Sequence, residues 1–148
     1  MRARLLLWPL VLAVGCSPSA PAPSALDSAH DACQTCRMIV SDARRASQVV
    51  APYEEPKFFD DLNCLRAFIA AKPGPSAGAV IYVADHRTRE WVRWDRAVFT
   101  RVPTLAGSMG SDIIAHASAA SRDADRDATG GTSVDAHDAV PFGPRGGS

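Results

Sequence analysis

Apolar residues in this chain fall into short runs separated by polar turns, and their spacing predicts a small mixed fold. Met38-Ile39-Val40 and Ser47-Gln48-Val49-Val50-Ala51 read as strands on either side of a polar turn, Ser41 to Arg45. Phe58-Phe59 then leads to Asp60-Asp61, acidic residues suited to the positive end of a helix, and Leu62, Leu65, Phe68 and Ile69 recur at helical spacing. Lys72-Pro73-Gly74-Pro75 stops that helix. The order then repeats: strands at Val80-Ile81-Tyr82-Val83, Trp91-Val92-Arg93-Trp94 and Ala97 to Val102, a loop from Pro103 to Gly110, and a helix from Ser111 or Asp112 through Ala117. Val40-Ser41-Asp42-Ala43-Arg44 aligns with Val83-Ala84-Asp85-His86-Arg87 at an offset of 43. Only two copies fit, so the pattern predicts one pseudo-symmetric domain rather than an array. The fold class expected is α+β: a single small domain of two strand-strand-helix repeats behind a lipid anchor and a flexible tether.

Outside that domain the composition changes. Arg2 and Arg4 precede the apolar run Leu5 to Val14, which is too short to span a bilayer and reads as a leader. Leu12-Ala13-Val14-Gly15-Cys16 resembles a lipobox, which makes residues 1–15 a lipoprotein signal peptide and Cys16 an acylated mature N-terminus. Ser17, where an aspartate can signal inner-membrane retention, points to the outer membrane with the domain facing the periplasm. Residues 16–32 are the lipidated cysteine and a Pro/Ala/Ser tether, residues 33–120 the folded domain, and residues 121–148 an Asp/Ala/Gly-rich tail expected to be partly disordered. Lys and Arg total 16, as do Asp and Glu; loss of the leader leaves 14 basic against 16 acidic residues. With no basic run, nothing steers toward nucleic acid.

The chemistry lies in sulfur. Three cysteines remain beside Cys16, and Cys33-Gln34-Thr35-Cys36-Arg37-Met38 sets two thiols and a thioether in six residues. Thiolate with thioether selects Cu(I), whereas structural zinc wants four Cys or His ligands that no second paired motif supplies. Met109 stands in a glycine-flanked turn, a poor place for a core residue, although either methionine also reads as a gap-filler. In an oxidising compartment Cys33 and Cys36 equally fit a disulfide, redox-active or a plain staple in a structural lipoprotein. A thioredoxin-like catalyst is disfavoured because a strand, not a helix, is expected to follow. Cys64, within the first helix, reads as a small buried hydrophobe and a reserve ligand; among the histidines, His116 alone is kept as a further ligand candidate. Asp60 and Asp61 fit a capping role, and no nucleophile-base pair, phosphate loop or cofactor fingerprint is present, so the chain reads as a non-enzyme.

Taken in order, Cys33-Gln34-Thr35-Cys36-Arg37-Met38-Ile39-Val40, Phe59-Asp60-Asp61-Leu62-Asn63-Cys64-Leu65, Tyr82-Val83-Ala84-Asp85, Glu90-Trp91-Val92, Ala97, Met109-Gly110-Ser111 and Ile114-Ala115 resemble the NosL family of nitrous oxide reductase accessory lipoproteins. The resemblance runs from about Cys33 to Ala120. It implies an α+β domain with an internal repeat that binds one Cu(I) and passes it to nitrous oxide reductase or another copper acceptor. It also implies metal ligands at Cys36, Met38 and Met109, with Cys33 beside them. Three positions depart from the family pattern: Arg37 replaces a glycine between cysteine and methionine, Ser108 a proline before the loop methionine, and His116 an aromatic. Arg37 bears on geometry, because a residue with a Cβ is restricted where φ is positive.

Overall fold

The computed structural model describes residues 20–144; the leader, Cys16 and the first tether residues lie outside them. Among the described residues no helix is long and apolar enough to cross a membrane. Two antiparallel sheets form the α+β domain. Strands β1 (Ser47–Val50), β2 (Lys57–Phe59), β3 (Val80–Ala84) and β4 (Trp91–Arg93) make the first, in the order β2-β1-β3-β4. The second contains β5 (Val98–Arg101), β6 (Ile113–His116) and β7 (Thr132–Val134), in the order β6-β5-β7. Helices α1 (Leu62–Ala70), α2 (Ala119–Asp123) and α3 (Ala136–Ala139) complete the domain.

The helix α1 forms where the spacing predicts it. Asp61 is its N-cap, with one carboxylate oxygen accepting the N–H groups of Asn63 and Cys64. Its buried residues are Leu62, Cys64 and Leu65. They meet Phe59, Val49, Ile81, Val83, Phe99 and Ile113 in one core that includes Cys33. Phe59 and Phe68 stack at a centroid separation of 5.2 Å, which ties α1 to β2.

The second half departs from the predicted pattern. The segment expected to be a helix through Ala117 is strand β6, pairing with β5 from Val98↔His116 to Arg101↔Ile113, and the helix comes later as α2. Consecutive β-branched Ile113 and Ile114 both need burial, one in each apolar cluster, and an alternating strand achieves this. The Met38-Ile39-Val40 strand is reduced to an isolated bridge, Ala32↔Ile39, because the chain turns tightly between Cys33 and Met38.

Both flanks are more ordered than their composition suggests. In the segment read as tether, Ser24 exchanges two hydrogen bonds with the buried Gln48 amide, at 2.9 and 3.0 Å, and the Tyr82 hydroxyl donates to the Pro21 carbonyl at 2.8 Å. Gln48 and Tyr82 are direct partners across β1 and β3, so this segment covers the back of the first sheet. In the segment expected to be partly disordered, β7 pairs with β5, and Ala139 and Val140 are fully buried in the main core. A few apolar residues, placed against a finished sheet, suffice where average composition signals disorder.

Candidate metal centre

The thiol groups of Cys33, Cys36 and Cys64 come together, with their sulfur atoms all within 4.8 Å of one another, and all three are free. Two segments build this cluster. The Cys33 to Met38 turn closes with the Cys33 N–H donating to the Met38 carbonyl at 2.7 Å and the Arg37 N–H to the Cys33 carbonyl at 3.0 Å. Arg37 takes the left-handed conformation at φ 66°, the geometry that the glycine of the family pattern adopts without cost. The turn is bound to α1 by the Thr35 hydroxyl, which donates to the Cys64 carbonyl at 2.9 Å.

The three sulfurs differ in environment. Cys33 and Cys64 are buried, while Cys36 is partly exposed. Burial pushes the Cys33 thiol up, but backbone donors from Cys36, Asp60 and Thr35 outweigh it and leave the thiol more acidic than usual. One of these donors, the Cys36 N–H, lies 3.5 Å from the Cys33 sulfur. Burial raises Cys64 strongly, and its neighbours Cys33 and Cys36 raise it further. Without a metal Cys33 is thus the more acidic of the two buried thiols, and an ion bound to all three sulfurs would displace their protons.

The loop carrying Met109 is fixed to the same end of α1. Its N–H donates to Asp61 at 3.0 Å, and its carbonyl accepts from the Asn63 amide at 3.0 Å. Ser108, where the family pattern has proline, donates its hydroxyl to the Asp60 carboxylate. Met38 and Met109 are 44% and 45% exposed, unusual for methionines, so neither serves as a core residue. Asp60 and Asp61 thus do more than cap a helix: together they hold the loop.

His116 does not join the sulfurs. It lies fully buried on β6 in a second cluster with His86 and Asp125, where its Nε2 is 2.9 Å and His86 Nδ1 2.8 Å from the same carboxylate oxygen of Asp125. Burial pushes Asp125 up, yet hydrogen bonds from His116 and His86 prevail and keep its carboxyl below the usual range. Sequence reading missed His86 and Asp125 because each looked like an ordinary turn or tail residue. The recurring Val-x-Asp-x-Arg element around Asp85 was the available signal for His86; no local signal marks Asp125.

Fold and site define a small α+β domain with a free-thiol cluster beside a methionine loop. A model of the NosL family matches residues 23–142, and the chain belongs to that family. Membership makes it a non-enzymatic protein. The crystal structure of the copper chaperone NosL from Shewanella denitrificans has the same fold, with a TM-score of 0.60 and 20% sequence identity over 79% of this chain and 93% of that one. No curated protein matches the chain.

Proposed function

We propose that this protein is an envelope copper carrier that takes Cu(I) as cargo on its sulfur cluster and releases it to an acceptor protein, nitrous oxide reductase being the one the family suggests. The observation that carries the reading is the convergence of Cys33, Cys36 and Cys64 as free thiols, with the half-exposed Met38 on the same turn as Cys33 and Cys36 and the half-exposed Met109 on the loop bound to the start of α1. Thiolate and thioether are the donors that favour Cu(I) over harder ions. Cys33 and Cys36 supply the thiolates and Met109, with Met38, the thioethers, and Cys64 stands within reach as a reserve sulfur. Transfer is ligand exchange: the partly exposed Cys36 and the half-exposed methionines are displaced first, and no bond in a substrate is made. Cys16 carries the lipid that holds the domain at the periplasmic face of the outer membrane.

A thiol-disulfide exchanger on the same pair fits less well. The sulfur made acidic is Cys33, which has no exposed surface, whereas exchange needs a reachable thiolate. An anaerobic Cu(I) titration of the reduced protein against a competing chelator, with Cys36→Ser and Met109→Ile alongside, tests the carrier reading. One equivalent held tightly and weakened in both variants is expected. A reduced parent that cannot compete for Cu(I) would overturn it.

A further inference from the structure

We infer that His86, His116 and Asp125 form a second metal site, separate from the sulfur cluster, for a borderline divalent cation of the Zn2+ class. Imidazole and carboxylate are the donors such ions prefer, and the three ligand atoms already lie within 4.8 Å of one another. Each donor comes from a different, fixed part of the fold. The His86 N–H donates to the Ala115 carbonyl at 2.8 Å, which locks the turn after β3 onto β6; His116 is on β6 itself; and Asp125 caps the 3-10 turn Arg126–Ala128. The second carboxylate oxygen of Asp125 accepts the Asp127 N–H at 3.0 Å, an outer contact that orients the ligand.

Both rings share a single oxygen of Asp125 as their acceptor. An ion at the centre takes Nε2 of His116 and Nδ1 of His86 as lone-pair donors, and each ring proton moves to its other nitrogen, which for His116 is the buried Nδ1 with no protein partner. The required movement is small. Donors on a tetrahedral ion with bonds of about 2.0–2.1 Å sit about 3.3 Å apart, so the present 2.8 and 2.9 Å contacts open by roughly half an ångström. Asp125 also lines a cavity of about 400 Å³ with Thr100, Asp123 and Ser133, which reaches the carboxylate side of the cluster but neither imidazole. Three protein donors leave a fourth position for water or a ligand from a partner.

The two sites have opposite preferences, sulfur for the soft ion and nitrogen with oxygen for the borderline one. The test exploits this. Untagged full-length protein in detergent, first given one equivalent of Cu(I) under anaerobic conditions, is titrated with Co2+ and then with Zn2+. One equivalent of Co2+ with visible d–d bands, no thiolate-to-cobalt charge transfer and displacement by Zn2+ is expected. Asp125→Asn and His116→Phe should lose that spectrum while still binding Cu(I), which also reports that they fold. If neither variant folds, the parent spectrum decides. A copper-loaded parent that binds no Co2+, or binds it with thiolate charge transfer, would overturn the inference and leave the carrier reading untouched.

Discussion

One carboxylate joins Asp61 to Met109: while an oxygen of Asp61 accepts the Cys64 N–H at 3.1 Å, the other accepts the Met109 N–H at 3.0 Å and the Ser111 N–H at 3.2 Å. A thiol-bearing helix turn and a thioether-bearing loop are therefore set by the same buried group. Asp61→Asn turns one acceptor into a donor facing two N–H groups. Denaturant unfolding should show a loss of about 2–3 kcal/mol, the cost of unsatisfied buried donors. Chelator competition should show weaker Cu(I) binding, and an unchanged affinity would separate loop position from copper binding.

Gly107 belongs to the same arrangement. A Cβ there would lie 2.8 Å from the Asp61 carboxylate and 2.9 Å from Arg45 Nε. Arg45 is a half-buried cation whose guanidinium donates to the Ser111 carbonyl. Gly107→Ala must push that pair apart, with an expected cost of about 1–3 kcal/mol in thermal or chemical unfolding. The released Met109 loop should exchange its amide hydrogens faster than in the parent.

Arg37 predicts a change in the other direction. Held at φ 66°, it pays the left-handed penalty of about 1–2 kcal/mol, part of which glycine would return as greater freedom in the unfolded chain. Arg37→Gly should raise stability by up to about 1 kcal/mol. Cu(I) affinity measured on the same variant tells whether the turn geometry is already that of the bound state. No change is expected, because the Cys33 to Met38 turn is already closed by two hydrogen bonds.

The two copies of the repeated turn should respond unequally. Asp85 is buried and accepts the N–H groups of Arg87, Thr88 and Ala117 at 2.8 to 2.9 Å. Burial pushes its carboxyl up, but these donors prevail and bring it to about 2. At the equivalent position Asp42 is half-exposed and accepts one backbone N–H, from Arg44 at 3.1 Å, along with that residue's guanidinium. Asp85→Ala should cost at least about 3 kcal/mol in unfolding experiments and Asp42→Ala about 1 kcal/mol.

Thiol chemistry provides a last comparison. Burial and its sulfur neighbours push the Cys64 thiol up while Cys33 is lowered, so a metal displaces the Cys64 proton at greater cost and Cys64→Ala should lose less Cu(I) affinity than Cys33→Ser. Titration of the two variants in parallel checks it. Equal losses would make Cys64 a ligand rather than a reserve sulfur.

Local signals made α1, β1, β3, β4 and the Cys33 to Met38 group legible, because capping acids, periodic apolar residues and ligand spacing are written in neighbouring positions. What escaped depended on remote partners. Ile113 to His116 carry the same apolar residues in a helix or a strand, and only pairing with β5 decides. Ala139 and Val140 close the core from a stretch whose composition resembles solvent-exposed chain. The grouping of Cys64 with the other thiols was foreseen only as a reserve, since it rests on a turn docking against α1 through Thr35.

The clasp between Ser24 and Gln48 and the bond from Tyr82 to Pro21 tie the chain to the first sheet from Pro21 onward. With Cys16 as the lipidated residue, four residues lie between the anchor and Pro21, and the five steps from one to the other reach at most about 18 Å. The domain would then ride at the bilayer surface on a short leash and sample only a thin layer above it. A protein collecting copper from it would have to come to the membrane, and loading would depend on two-dimensional encounter more than on concentration in the bulk periplasm.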